Sequence, residues 1–164
     1  MFQVFEHLTE PRKALERARD MLKPDGRLII SFPNILSMQA KMFGPKWLHL
    51  DPPRHLFLMP ENAFIKTVQD LGFSVERQPC FSLKPNPYGL MGFTQSTLNT
   101  LLAKRNVLYE RLKGNKAYAP SYGSVALVLQ LAATAVLVFP ALILTVIESA
   151  CRRGATVEYV LRKR

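Results

Sequence analysis

The chain has 164 residues, 48% of them apolar and 21% charged, with a formal net charge of +10. That length and apolar content predict one domain with a packed core. Its two cysteines, Cys80 and Cys151, lie far apart and form no CxxC pair, which excludes a disulfide framework and a cysteine zinc site and predicts a reducing, cytoplasmic setting.

The charge is unevenly spread. Residues 1–82 carry 11 Lys/Arg against 9 Asp/Glu, and residues 83–164 carry 11 against 3. The second half is therefore basic and, in part, very apolar, a combination suited to an anionic membrane surface. Nucleic acid is not an expected partner, because the basic residues are not interleaved with stacking aromatics and no nucleic-acid motif occurs.

In chain order, Met1 to Phe5 reads as the last part of a buried strand. The apolar run stops at Glu6, too early for a signal peptide. Thr9 is placed to cap a helix with Pro11 in its first turn, and Ala14, Leu15, Ala18, Met21 and Leu22 form its apolar stripe. Lys23-Pro24-Asp25-Gly26 is a turn by residue type, and Leu28 to Phe32 is a strand. A strand, a helix and a second strand over this length predict a βαβ unit with parallel strands. Residues 33–59 are rich in breakers and read as a long site-bearing loop with one short helix around Leu36–Met42.

Pro60 opens a second helix with Phe64, Ile65, Val68 and Leu71 on its buried face, and Gly72 stops it. Phe73 to Phe81 reads as a strand. Lys84 to Gly89 is a stiff connector, followed by a third helix with Thr94, Leu98, Leu101, Leu102, Leu108, Tyr109 and Leu112 along one side. Residues 124–147 carry no charge, and Thr156 to Leu161 is a final β-prone run.

Phe5-Glu6-His7-Leu8, Leu22-Lys23-Pro24-Asp25-Gly26-Arg27-Leu28 and Pro33-Asn34 resemble the second half of class I S-adenosylmethionine-dependent methyltransferases. Trp47 and Asp51-Pro52-Pro53-Arg54-His55-Leu56 resemble the following loop in a bacterial branch of them. The resemblance implies an α/β fold: part of a Rossmann-like, mostly parallel sheet, with helices on both faces. Met1–Phe5, Leu28–Phe32, Phe73–Phe81 and an antiparallel Thr156–Leu161 would be its fourth to seventh strands. It implies a methyltransferase half-domain over residues 1–82, a helical, basic and apolar insertion over 83–153, and a terminal strand over 154–164. No GxGxG occurs in the sequence, so the Gly-rich cofactor loop and the first three strands are absent from it. The expectation is a fragment that by itself neither binds S-adenosylmethionine nor turns over.

The same resemblance places candidate residues. His7 and His55 are the candidate catalytic bases, since methyl transfer needs alignment plus a base when the nucleophile is protonated. Gln3, Phe5 and Glu6 would line the cofactor, and Asn34, Trp47 and Arg54 the methyl acceptor. Each has a structural alternative: Glu6 and His7 at a helix start, Arg54 paired with Asp51, His55 as a cap, Trp47 as a loop anchor, Asn34 as a turn former. No metal is expected, because Gln3 brings an amide in place of a charge to the Glu6-His7 pair.

Residues 124–147 are long enough to span a bilayer. A single crossing would separate Thr156–Leu161 from its sheet. Two helices, Ser124–Phe139 and Pro140–Cys151, hinged at the proline, are expected instead. Three readings stay open: a membrane-surface or re-entrant hairpin with Lys113, Lys116, Arg152 and Arg153 at the headgroups, a homodimer or soluble packing surface, and a true span. The functional expectation is methyl transfer to a small nucleophile, free or lipid- or glycan-linked, at the inner face of a membrane. The alternative is a non-catalytic membrane-associated or interaction protein that keeps half of the fold.

Overall fold

The computed structural model describes residues 1–77, 87–102, 104–114, 123–151 and 153–164. Among the described residues, nine regular elements and two 3-10 turns follow in order: the turn Phe5–His7, α1 (Pro11–Met21), β1 (Arg27–Pro33), α2 (Met38–Phe43), the turn Gly44–Lys46, α3 (Glu61–Asp70), β2 (Phe73–Arg77), α4 (Pro87–Leu101), α5 (Val107–Leu112), α6 (Ser124–Ala150) and β3 (Thr156–Lys163). The fold is mixed α/β. Its three-stranded sheet has the order β1-β3-β2, with β3 antiparallel to both neighbours, so that β1 and β2 point the same way without touching. The register pairs Ile30 with Tyr159 and Phe32 with Val157.

The expected first strand is corrected. Met1–Phe5 makes one parallel bridge, Phe2 to Ser31, held by Ser31 N–H donating to Met1 O (2.8 Å) and Gln3 N–H donating to Ser31 O (2.9 Å). The backbone then leaves the extended region: Gln3 has a φ of 51°, and Phe5 opens a 3-10 turn. The parallel pairing of the βαβ reading is thus reduced to a single rung.

The core is built on aromatic rings. Phe5, Phe32, Phe64 and Tyr159 are all fully buried, with Phe5–Phe32 at 5.3 Å, Phe32–Phe64 at 4.8 Å and Phe64–Tyr159 at 4.8 Å between centroids. Such contacts add to simple area burial. Only Leu15 of the α1 stripe is fully buried, and Met21 is 86% exposed. No side chain caps α1: Glu10, not Thr9, holds the N-cap position.

Two further expectations are corrected in the insertion. The third helix is two helices, α4 and α5, separated at Asn106, whose φ of 56° no helix interior tolerates. The apolar run is one helix, α6, with Pro140 inside it rather than at a hinge. Pro140 is exposed. α4 packs along α6 and against α2. Glycine makes both approaches close: a Cβ on Gly89 would lie 2.5 Å from Thr145 Cγ2, and one on Gly92 would lie 2.0 Å from Gln39 Oε1. The later part of the Phe73–Phe81 strand, Cys80, the connector before Pro87, Lys116 and Arg152 lie outside the described residues.

Candidate functional site

Burial of Phe5 fixes the turn that carries Glu6 and His7. Its ring sits among Phe32, Phe57 and Phe64, so the next two residues are presented at the edge of the core. The loop after β1 is stitched to this turn through its backbone, with Leu56 N–H donating to Glu6 O (2.9 Å). Its side chains complete the join. His7 Nδ1–H donates to Arg54 O (2.7 Å), and His55 Nδ1–H donates to His49 O (2.6 Å). A carbonyl can only accept, so each imidazole keeps its proton on Nδ1 and leaves the Nε2 lone pair bare.

The insertion clasps the same loop from the other side. Ser96 Oγ accepts from Leu48 N–H (2.9 Å), Asn106 Nδ2 donates to Leu48 O (3.2 Å), and Asn99 Nδ2 donates to Lys46 O (3.0 Å). Arg105 donates to Trp47 O (2.7 Å) and to Leu50 O. Arg54 bridges Asp51 on its own loop and Glu110 of α5, each at 2.6 Å. Between these parts lies a cavity of about 270 Å³. Gln3, Glu6 and His7 line one side, His49, Asp51, Arg54 and His55 the loop side, and Tyr109 and Lys113 the α5 side.

The electrostatics of the cavity are set by burial. Glu6 is 2% exposed, and neither carboxylate oxygen has a hydrogen-bond partner among the described residues. Desolvation raises its pKa, opposed by its own backbone N–H and by His55 and His7. His49 is pushed down to about 3, first by burial and then by His55 and Lys113, so it is neutral at physiological pH. Arg54 is held firmly charged by its hydrogen bond to Glu110.

The structure brings Gln3, Glu6, His7, Arg54 and His55 to one cavity and leaves three other candidates outside it. Phe5 is core. Trp47 is buried beneath the loop, with Nε1 donating to Gln39 Oε1 at 3.4 Å. Asn34 closes the end of β1: Nδ2 donates to Gly154 O (3.0 Å) and Oδ1 accepts from Leu36 N–H (3.0 Å). Arg54 reaches the cavity, but its charge is committed to two carboxylates. Its contribution is to hold the loop bearing His55 against α5.

Arg54→Ala is accordingly expected to lower stability by about 2 kcal/mol, because it strips a cation from the buried Glu110 while the half-exposed side of the pair is screened by water. Chemical denaturation of both proteins at neutral pH checks this. An unchanged midpoint would mean that α5 is held without the pair. The sequence reading puts Tyr109 on the third helix and Lys113 at the headgroups and assigns neither to the site, although both line the cavity, and it does not find Glu110, which holds Arg54; the uninterrupted helix drawn through Asn106 conceals these roles.

Residues 1–78 match the protein family described as a methyltransferase domain. No curated protein gives a significant match. Among solved structures, the chain is similar to the crystal structure of the [4+2]-cyclase SpnF, at 14% identity and a TM-score of 0.47, over 99% of this chain and 47% of that one. The chain thus spans about half the length of that protein.

Proposed function

We propose a methyl-transfer role for this chain, which belongs through residues 1–78 to the class I S-adenosylmethionine-dependent methyltransferases. The observation that carries the proposal is the cavity itself, where the Phe5–His7 turn and the loop after β1, both within the family match, meet over two imidazoles and a carboxylate. The acceptor is a small nucleophile such as a hydroxyl, carried on a lipid- or glycan-linked molecule. In this reading β1, β2 and β3 are the fifth, sixth and seventh strands of the family sheet.

The residues present fit one edge of the cofactor. Glu6 is an acceptor-only group, buried without a partner, and a neighbouring cation satisfies it; the sulfonium of S-adenosylmethionine is such a cation. Gln3 lies beside it on the cavity wall. When bound, the cofactor supplies an electrophilic methyl group. The remaining work falls to this chain. The walls align the acceptor for in-line attack, and an imidazole Nε2 of His7 or His55 takes the acceptor's proton. The Nδ1–H bonds to Arg54 O and His49 O keep both rings oriented for that task.

α6 brings the acceptor near. Its outward face is apolar, and we place it against a membrane surface, with Lys113 and Arg153 near the headgroups.

Label transfer from S-adenosylmethionine to a membrane lipid extract tests the proposal. The 164-residue chain alone is expected to bind the cofactor too weakly for calorimetry in the micromolar range, since it has no GxGxG. A protein extended upstream of Met1 by an in-frame GxGxG strand–loop–helix is expected to transfer label. His7→Ala or His55→Ala should slow that transfer by about 100-fold, the usual contribution of a positioned base. Transfer that neither variant slows would sink the assignment of the cavity.

A further inference from the structure

We infer that Glu6, His7 and His55 form a binding site for a divalent transition ion of the zinc class, with one coordination position open to the cavity. The three side chains each offer a ligand atom, and these atoms all lie within 4.8 Å of one another. Ligands about 2.0–2.1 Å from a tetrahedral zinc sit roughly 3.3 Å apart, so small side-chain rotations close the set. His7 is exposed, so its ring can shift towards the other two while keeping its bond to Arg54 O.

Three independent features point to an ion rather than to chance proximity. First, both imidazoles are already arranged as ligands. A histidine that binds metal through one nitrogen donates the other N–H to a carbonyl or carboxylate, which fixes the tautomer and strengthens the donor. His7 does this to Arg54 O at 2.7 Å and His55 to His49 O at 2.6 Å, leaving both Nε2 atoms bare. Second, Glu6 is 2% exposed with both oxygens unpartnered, although a buried carboxylate without a counter-charge is among the most costly arrangements in a protein. An ion between it and the two rings removes that cost. Third, the supports are rigid: Phe5 is locked in the aromatic core, and Leu56 N–H holds the loop to Glu6 O.

The donor set selects the class of ion. Two nitrogens and one oxygen suit Zn²⁺, Co²⁺ or Fe²⁺, whereas Mg²⁺ and Ca²⁺ favour oxygen throughout. Three protein ligands with a free position are also the pattern of catalytic rather than structural zinc. Lys113 lines the same cavity and opposes a cation, while Asp51 on the loop side favours it. The site stands on its own three side chains and does not depend on methyl transfer. While an ion is bound, the Nε2 lone pairs are committed to it and neither ring serves as a base.

The test is metal binding by the full chain, freed of metal with a chelator. Titration with CoCl₂, followed by the visible bands of a low-coordinate cobalt, is expected to saturate at one equivalent, with ZnCl₂ displacing the colour and MgCl₂ leaving it. His7→Ala, His55→Ala and Glu6→Gln are each expected to weaken binding at least about tenfold. Exchange of both cysteines for serine should leave it unchanged. Circular dichroism checks that each variant is folded, and His7→Ala, at an exposed position, keeps the test decisive if a buried variant fails. Absence of cobalt colour in the wild type, or colour that persists in the His7→Ala/His55→Ala double variant, would overturn the site. Neither readout involves the cofactor, so failure here leaves the methyl-transfer reading untouched.

Discussion

Glu148→Gln is expected to remove one contribution to the pH dependence of stability, a loss of about 3 kcal/mol as pH rises from about 4.5 to about 7. Glu148 lies near the end of α6 and is 1% exposed. Its oxygens accept from the backbone N–H and the carboxamide of Gln39, both at 3.0 Å, at the start of α2. Burial nevertheless dominates and raises its pKa from 4.5 to about 7. The sign follows directly. Below pH 4.5 the group is protonated whether the chain is folded or not, and its contribution is at its most favourable. Between 4.5 and 7 the unfolded chain releases a proton that the folded chain retains, so each step up in pH favours unfolding. Above 7 both are ionised and the cost is constant. Glu6 acts in the same direction and His49 in the opposite one, so the wild-type curve alone is ambiguous. The difference between wild type and Glu148→Gln, from urea denaturation at a series of pH values, isolates this carboxyl. Parallel curves across that window would refute the assignment. Glu148→Ala is the complementary case: it leaves the Gln39 donors unmatched and should destabilise by about 2 kcal/mol below pH 4.5, a deficit that shrinks as pH rises through the same window because the alanine variant also lacks the buried carboxyl.

That contact also shows what the sequence could and could not disclose. Periodicity located α3, β1 and β3, because Phe64/Val68 and the alternating strand residues obey the spacings that burial demands. It misplaced Met1–Phe5, which is as apolar as a strand but pairs through one rung only. Of the candidate site, the five residues gathered in the cavity sit at a chain reversal and on a proline-stiffened loop, features visible locally. The α5 wall is not local. Arg54 and Glu110 are 56 residues apart, and their meeting depends on Asn106 breaking the helix. Asn is one of the residues that tolerates a left-handed backbone, and this was the available signal. The metal-type cluster was hidden for a similar reason: Glu6 and His7 are adjacent, but His55 joins them only through the stitching of Leu56 to Glu6. Glu148 carried a signal of its own, as the acidic residue that immediately ends the uncharged run.

The full chain is expected to float with lipid vesicles, and exchange of Val128, Val136, Phe139 and Val146 for Asn or Gln is expected to abolish flotation. These side chains are on the outward face of α6, with Val136 76% exposed, whereas Gln130, Ala141 and Glu148 face inward and are buried. The helix is thus polar towards the protein and apolar towards the outside, the reverse of a soluble surface helix. Val125–Ala150 is long and apolar enough to cross a membrane by length and composition. Its lengthwise packing on α4 and the Glu148 anchor to α2 favour a helix lying on the bilayer instead. Burying one valine or phenylalanine is worth about 1.5 kcal/mol or more, so the four together carry about 6 kcal/mol of attachment. The exchanges keep the net charge, so electrostatic attraction of a basic chain is constant between the two proteins. Flotation that survives high salt in the wild type marks the apolar contribution, because salt screens only the charges. Sedimentation distinguishes the other occupant of this face: a dimer that the same four exchanges dissociate, without flotation of the parent, would assign α6 to self-association rather than to lipid.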